Sequence, residues 1–213
     1  MNFSDLDTQT LLNIMKARRD VRGHSFLSQA IQDSHLDLIL EAALCAPSVG
    51  YSQPWEFILI DKLHIKEDIY QNFLGENQKA STIFKDRPQY QELKLEGIIE
   101  APLNICVLYT PQEDEAVLGQ TSMDKMGEYS VVCAIENMWL MSRSLGIGMG
   151  WVSILDEDKL LDTLNIPKDK KLIAYLCLGY VKDFKNEPEL KTLKWKKEKV
   201  LQNLLHKNFY ETK

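Results

Sequence analysis

The sequence Arg18-Arg19-Asp20-Val21-Arg22, the arginine segment, places three guanidinium groups and one carboxylate side by side. Apolar residues at helical spacing precede it, so we expect a helix that ends near Gly23, with the arginine segment at the helix-to-loop junction. Arginine pairs two-pronged with phosphate and stacks on flat rings. Two interpretations are therefore open: a solvated basic helix end, or a site for a planar anionic ligand.

A second helix and a strand follow the arginine segment. The spacing predicts a helix over residues 34–46, capped by Asp33 or Ser34. Pro47 ends it and opens a loop rich in turn-forming residues that runs to Trp55. The short apolar run 56–60 then predicts a buried strand. Loops that leave a helix for a core strand are common places for binding sites.

The second half of the chain alternates apolar runs with one long helical pattern. Residues 105–109, 151–154 and 172–178 predict strands. The pattern over 129–145 is apolar on most faces, so we expect a helix buried on most faces and shared with a second subunit. Glycines 146, 148 and 150 follow a helix and open a strand, the reverse of a dinucleotide fingerprint. They predict close backbone approach to a neighbouring helix or to a flat ligand.

Length and charge restrict the function classes. A chain of 213 residues with net charge −6 predicts one domain over 1–213 and argues against nucleic acid as a partner. We interpret the polar stretch 62–94 as a helical excursion or lid of low local stability. The charged tail 182–213 lacks a core of its own, so we expect it to wrap around a partner subunit.

Cysteine usage and the N-terminus indicate an intracellular protein. The four cysteines lie far apart in apolar surroundings, which predicts reduced core residues and neither zinc nor disulfides. The first ten residues are polar, and no apolar run is long enough to cross a bilayer. We therefore expect a cytoplasmic protein with no membrane or metal site.

Five separated blocks resemble the flavin-dependent nitroreductase superfamily and, within it, the 5,6-dimethylbenzimidazole synthase family. The similarity runs over most of the chain, from about residue 18 to residue 195, and the blocks follow the family's order. The blocks are Arg18-Arg19-Asp20-Val21-Arg22, Ala46-Pro47-Ser48-Val49-Gly50 with Gln53-Pro54-Trp55, Leu95-Glu96-Gly97-Ile98 with Glu100-Ala101-Pro102-Leu103-Asn104, Tyr129-Ser130-Val131-Val132-Cys133-Ala134-Ile135-Glu136-Asn137, and Gly150-Trp151-Val152-Ser153.

The resemblance implies an α+β fold and a flavin site. The fold would have a central mixed β-sheet flanked by helices, with a C-terminal extension wrapping the partner of a homodimer. FMN would lie at the dimer interface with its phosphate on the three arginines. The implied binding residues are Arg18, Arg19, Asp20, Val21, Arg22, Ser48, Gln53, Trp55, Leu95, Gly150, Trp151 and Ser153.

The resemblance assigns catalytic roles to Asp20 and Ser153. Ordinary nitroreductases usually carry serine at the position of Asp20. A carboxylate beside a flavin can relay protons, and the nearby arginines would keep it ionised; a salt bridge to Arg19 or Arg22 is the alternative. Ser153 could hold a flavin nitrogen or an oxygen by hydrogen bonding. Trp55 has two open interpretations, flavin contact and core packing.

The implied reaction is the oxygen-dependent fragmentation of reduced FMN. FMNH2 would be a substrate supplied by a separate flavin reductase, with O2 as co-substrate. The products would be 5,6-dimethylbenzimidazole, the lower ligand of cobalamin (vitamin B12), and erythrose 4-phosphate. Two alternatives are an FMN-dependent NAD(P)H nitroreductase or quinone reductase, and a non-catalytic flavin carrier or sensor.

Overall fold

The computed structural model describes residues 2–93, 95–112 and 115–211. That part of the chain contains seven α-helices and four strands. The helices are α1 (Asp5–Ala17), α2 (Asp33–Leu44), α3 (Leu63–Ile83), α4 (Gln89–Glu92), α5 (Met126–Ser144), α6 (Glu157–Thr163) and α7 (Glu189–Thr192). The strands are β1 (Trp55–Ile60), β2 (Leu103–Tyr109), β3 (Ile147–Val152) and β4 (Lys171–Tyr180). Residue 94 of the predicted lid and residues 212–213 of the predicted tail lie outside the described residues.

The four strands form one sheet in the order β1-β2-β4-β3, and all three strand pairs are antiparallel. The α+β arrangement is thus confirmed, while the parallel part of the predicted mixed sheet is a single bridge between Asp20 and Met149. β2 and β4 are central, and six of the seven residues of β2 and six of the ten residues of β4 are buried. β1 is an edge strand with Glu56 and Leu59 exposed, so the prediction of a fully buried strand there was wrong.

Helices α2 and α5 pack together against one face of the sheet. Their buried residues include Ile39 and Ala43 on α2 and Ile135 and Met138 on α5. α2 is preceded by Gln32, which makes no side-chain cap, so the predicted caps Asp33 and Ser34 lie inside the helix instead. The outer face of α5 is exposed, which leaves it available to the second subunit that the sequence predicts.

α1 is shorter than its sequence pattern predicts. It ends at Ala17, and Arg18 already has extended backbone angles, φ −60° and ψ 136°. The Val21 N–H donates to the Met149 carbonyl at 3.0 Å, whereas a continuing helix would direct it to residue 17. The prediction of a helix end near Gly23 was wrong because pairing with β3 overrides local helix propensity.

The predicted lid, residues 62–94, begins with the well-packed first half of helix α3. On the first half of α3, Lys66, Ile69 and Phe73 are all buried. The outer part is more open and stacks Phe84 on Tyr90 with ring centroids 4.9 Å apart. The burial on α3 argues against low local stability in the first half of that helix, and a lid over residues 62–94 stays a prediction.

Only part of the cysteine prediction agrees with the structure. Cys106 and Cys177 are buried in the sheet, as expected. Cys45 and Cys133 are exposed, at the end of α2 and on α5. The four were not all core residues because the outer faces of α2 and α5 lack a covering element in a single chain.

Candidate functional site

The arginine segment lies alongside β3, 130 residues further along the chain. Besides the Val21–Met149 backbone bond, the Trp151 N–H donates to Asp20 Oδ1 at 3.2 Å. Arg22 Nη2 donates to the Trp151 carbonyl at 2.8 Å. Two of the sequence blocks are therefore joined through main-chain groups, which fixes the segment's position on the sheet edge.

Gly150 makes this close approach possible. A Cβ at this position would lie 2.1 Å from the Val21 carbonyl oxygen, far inside van der Waals contact. A Cβ on Gly148 would lie 2.6 Å from a methyl carbon of Val181. Gly148 and Gly150 thus permit close approach, at Gly150 to the backbone of the arginine segment and not to a neighbouring helix, while approach to a flat ligand stays a prediction.

The three arginines have different surroundings. The Arg18 guanidinium lies over the ring of Trp139, with its carbon 4.9 Å from the centroid. It makes no side-chain hydrogen bond to the described part of the chain. Arg18 is consequently the member of the segment with donors available for a ligand.

Arg19 is occupied by carbonyl groups. Its guanidinium donates to Lys16 O at 2.8 Å, Arg18 O at 2.6 Å and Lys185 O at 3.0 Å, and also to Asn186 O. Four of its five N–H groups are therefore engaged, two of them with the tail. In this arrangement Arg19 fastens the tail to the end of α1, and it would have to release carbonyls before it could bind a phosphate.

Arg22 is held within the protein. Its Nη1 donates to the Leu95 carbonyl at 3.2 Å, and its Nη2 pairs with Asp20 Oδ2 as well as the Trp151 carbonyl. The side chain is 15% exposed. Arg22 thus joins the arginine segment, β3 and Leu95 at one point.

Asp20 has its carboxylate at the centre of this arrangement. One oxygen accepts from the Trp151 N–H and the other from Arg22, yet 42% of the side chain stays accessible. Burial raises the pKa of Asp20 above its ordinary value, and Arg22, the Trp151 N–H and Arg18 only partly oppose this shift. The direction is opposite to the one expected from the arginines alone. A raised pKa lowers the free-energy cost of protonating this carboxylate relative to an ordinary aspartate.

A cavity of about 260 Å³ opens beside the arginine segment. Its walls are the arginine segment, the loop containing Leu95, and the tail from Asp183 to Leu190. Ligand pockets commonly enclose roughly 300–1,000 Å³. The cavity of one chain is therefore at the small end for a whole mononucleotide.

Ser153 lies outside that cavity. It follows the end of β3, is exposed, and lines a separate hollow of about 180 Å³ with Trp151 and Tyr175. The sequence had placed it within a strand over 151–154. Trp151 connects Ser153 with the arginine segment, because its backbone N–H donates to Asp20 and its side of β3 lines the hollow that contains Ser153.

Ser48, Gln53 and Trp55 lie at the other edge of the sheet. The Ser48 hydroxyl accepts from the Gln53 N–H at 3.1 Å and so closes the loop on itself. Trp55 begins β1 and is 8% exposed within the main core, which agrees with core packing. Because β1 and β3 are opposite edge strands, one chain does not bring this group to the arginine segment.

Sequence reasoning missed Lys66, Trp139 and Phe184. Trp139 lies beneath Arg18 and donates to the Arg19 carbonyl at 3.2 Å, and Phe184 lies 3.8 Å from the Arg143 guanidinium carbon. Lys66 is 5% exposed. Its signal was present, because residues 66, 69 and 73 follow helical spacing and put a lysine on the apolar stripe.

Neither a metal-binding cluster nor a membrane-spanning helix is found within residues 2–93, 95–112 and 115–211. No group of three or more His, Cys, Asp or Glu side chains is placed to hold a metal ion there. None of the helices described combines the length and hydropathy needed to cross a bilayer.

The family model of the nitroreductase family matches residues 15–180. The chain belongs to the nitroreductase family. The match includes the arginine segment, the cavity's Leu95 loop and all four strands. The nitroreductase-like fold is therefore confirmed.

Two relatives of this nitroreductase family member carry the same name. It is 39% identical to the 5,6-dimethylbenzimidazole synthase of Rhodospirillum rubrum over 84% of this chain and 85% of that protein. It is 32% identical to the 5,6-dimethylbenzimidazole synthase of Rhodobacter capsulatus over 92% of this chain and 95% of that protein. The narrower resemblance seen in the sequence is confirmed.

A solved structure supports the fold independently. Iodotyrosine deiodinase, bound to FMN and 3-iodo-L-tyrosine, matches with a TM-score of 0.66 over 82% of this chain and 91% of that chain. The sequences are 21% identical. A likeness at this identity concerns the backbone arrangement alone.

Proposed function

We propose that this nitroreductase family member is a 5,6-dimethylbenzimidazole synthase that fragments reduced FMN with O2. The observation that carries the proposal is Asp20, with its carboxylate set between Arg22 and the Trp151 N–H at the edge of the arginine cavity. Both named relatives support the same activity. The products would be 5,6-dimethylbenzimidazole and erythrose 4-phosphate.

The cavity fits the phosphate end of a mononucleotide. Arg18 offers a guanidinium without a hydrogen-bonded partner among the described residues, and a phosphate can accept from it in two-pronged fashion. Val21, Arg22, Leu95, Gly150 and Trp151 would form the wall around the ligand. Reduced flavin supplies the electron-rich ring that reacts with oxygen.

Asp20 would hold and move a proton at its carboxylate oxygens. The accessible part of the group faces the cavity, while Arg22 and the Trp151 N–H fix its orientation. Because burial raises its pKa, Asp20 accepts a proton at a lower free-energy cost than an ordinary aspartate does. Ser153, two residues beyond Trp151, would hydrogen bond to the substrate from the far side.

A complete site would need two copies of the chain. Ser48, Gln53 and Trp55 lie at the sheet edge opposite the arginine segment, so a pocket using both groups would draw them from different subunits. Apolar residues exposed beside that loop, including Leu38 and Leu44 on α2 and Val132 on α5, would be covered in a homodimer. The final part of the tail, where Leu201 and Phe209 are exposed, would extend across the partner.

Product analysis tests the proposal. The purified protein would be incubated aerobically with FMNH2 that a separate flavin reductase generates. The products would then be analysed by mass spectrometry. We expect 5,6-dimethylbenzimidazole from the wild-type protein and at least about 100-fold less from Asp20→Asn, the range for loss of acid–base catalysis. Undiminished product from both Asp20→Asn and Ser153→Gly would remove the assigned roles.

The second candidate is an FMN-dependent NAD(P)H nitroreductase or quinone reductase, which the family match favours. Such a protein would stay yellow on purification and oxidise NAD(P)H rapidly. A synthase would be nearly colourless and depend on added reduced flavin. A flavin carrier would bind FMN and return it intact after exposure to oxygen.

A further inference from the structure

Lys66 is a buried cation on the inner face of α3, at some distance in the sequence from every block described above. It is 5% exposed, and its Nζ donates to the Ala101 carbonyl at 2.8 Å and the Ile99 carbonyl at 3.2 Å. Burial lowers the pKa of Lys66, with nearby acidic groups opposing the shift. Burying an ammonium group costs free energy unless its N–H groups donate hydrogen bonds. The two carbonyls therefore stabilise Lys66 in its buried position.

Those carbonyls belong to a segment, residues 95–101, in which nearly every peptide oxygen is engaged. Asn104 Nδ2 donates to the Ile98 carbonyl at 2.8 Å, and the Ala101 N–H to the Gly97 carbonyl at 3.0 Å. Lys66 takes the carbonyls at the segment's C-terminal end. The segment is therefore held by side chains from α3 and β2 in place of a strand ladder.

The other end of the same segment contacts the arginine segment. The Glu96 carbonyl accepts from the Gly23 N–H at 2.9 Å, and the Leu95 carbonyl accepts from Arg22 at 3.2 Å. Arg22 in turn pairs with Asp20. Hydrogen bonds at its two ends thus connect the segment of residues 95–101 to Lys66 and to Arg22.

We propose that Lys66 is a positioning residue that fixes the Leu95 carbonyl and, through it, the guanidinium of Arg22. Lys66 does not line the cavity beside the arginine segment, and it acts only through residues 95–101. An ammonium group suits this task because its three donors can gather carbonyls that point in different directions. The proposal rests on the proposed function only in the test that measures the affinity for FMN.

The first test needs no ligand. Amide hydrogen exchange of the whole protein is compared in wild type, Lys66→Met and Lys79→Met, the last replacing an exposed lysine of the same helix. For Lys66→Met we expect exchange of the Ala101 and Gly23 N–H groups, which donate to the Gly97 and Glu96 carbonyls, to become about tenfold faster, while β2 and β4 are unchanged. Lys79→Met should match the wild type. Faster exchange confined to α3 would overturn the proposal.

Two further variants, Lys66→Arg and Lys66→Gln, distinguish loss of the hydrogen bonds to the carbonyls from a general loss of folding. Lys66→Arg retains a cation with several donors and should recover most of the protection of the Ala101 and Gly23 N–H groups. If Lys66→Met fails to fold, Lys66→Gln, which retains one donor group, takes its place under the same criteria. Equal exchange at Gly23 in Lys66→Gln and wild type would also overturn the proposal.

The second test measures coupling to Arg22 through the Kd of FMN, followed by quenching of FMN fluorescence. Lys66→Met should weaken binding about tenfold, and its effect should shrink by at least about threefold when Arg22→Met is already present. Arg18 contacts Trp139 and not residues 95–101, so the effects of Lys66→Met and Arg18→Met on the Kd should be additive. Additivity with Arg22→Met would contradict the proposal. A wild type that binds no FMN would refute the proposed function, while hydrogen exchange would still decide the role of Lys66.

Discussion

Asp20 Oδ1 accepts a hydrogen bond from the Trp151 N–H at 3.2 Å, across 131 residues of sequence. The contact requires the backbones of the arginine segment and β3 to lie side by side, which a side chain on Gly150 would prevent. The position of the candidate catalytic carboxylate therefore depends on the absence of a single methyl group.

Gly150→Ala tests this dependence. The new Cβ would lie 2.1 Å from the Val21 carbonyl oxygen, so the two backbones must separate. We expect the free energy of unfolding to fall by about 1–3 kcal/mol in urea denaturation. Gly75→Ala is the matched control, because its Cβ would meet nothing within 4 Å in helix α3 and should raise the free energy of unfolding by about 0.5–1 kcal/mol. Equal effects of the two substitutions would show that the close approach is unimportant.

Much of the fold could be predicted from the sequence. Strands β1, β2 and β4 and the two core helices α2 and α5 follow apolar runs and helical spacing, because burial sets those patterns. β3 begins at Ile147, four residues before the predicted strand 151–154, and its start was missed because two glycines interrupt its apolar run. The end of α1 could not be predicted, since the Val21 N–H binds Met149, a partner 128 positions away that no local pattern reveals.

The candidate site was predictable as a set of residues but not as a geometry. Arg18, Arg19 and Arg22 look equivalent in the sequence, yet one lies over Trp139, one holds the tail and one pairs with Asp20. Tertiary partners create that difference. Likewise, desolvation of Asp20 depends on how the chain encloses it, so the direction of its pKa shift could not be derived from its charged neighbours.

The pKa of Asp20 should respond unequally to its two arginine neighbours. Arg22 lowers it more strongly than Arg18 does, so Arg22→Met should raise the pKa further and Arg18→Met should raise it less. Carbon-13 NMR of the Asp20 carboxyl as a function of pH measures both. A lower pKa in Arg22→Met would reverse the assigned electrostatics.

The raised pKa of Asp20 also has a consequence for stability. The folded state binds this proton more tightly than the unfolded state, so the contribution of Asp20 is fully present below the ordinary aspartate pKa of about 3.9 and is lost as pH rises through the folded value. Relative to Asp20→Asn, the wild-type free energy of unfolding should therefore decrease over that window. Denaturant titrations at a series of pH values would show it.

Arg19 should control the attachment of the tail. Arg19→Met removes the donors to the Lys185 and Asn186 carbonyls, so chymotrypsin should cleave near Phe184 and Leu190 about tenfold faster. Lys185→Met is the control, because it removes the side-chain pair with Glu189 but keeps the carbonyl that Arg19 binds. If the two variants are cleaved at the same rate, Arg19 does not fasten the tail.

Trp195 should connect the tail to the outer part of the excursion. Its ring lies 5.5 Å from that of Phe84 and 4.2 Å from the Arg87 guanidinium carbon. Trp195→Ala should accelerate amide exchange over residues 84–92 by about threefold to tenfold, as expected for the loss of one cation–π contact and one aromatic contact. Phe209→Ala, at an exposed position, should leave that region unchanged. Unchanged amide exchange over residues 84–92 in Trp195→Ala would show that Trp195 does not stabilise this region.

The most direct test of the proposed site is a crystal structure of the dimer grown with FMN. We expect the phosphate to bind Arg18, the ring system to lie against Asp20 and Trp151, and Ser48 or Gln53 of the second subunit to complete the pocket. A flavin bound away from the arginine segment, with the Arg18 guanidinium still resting on Trp139 and bound to no phosphate, would contradict the account.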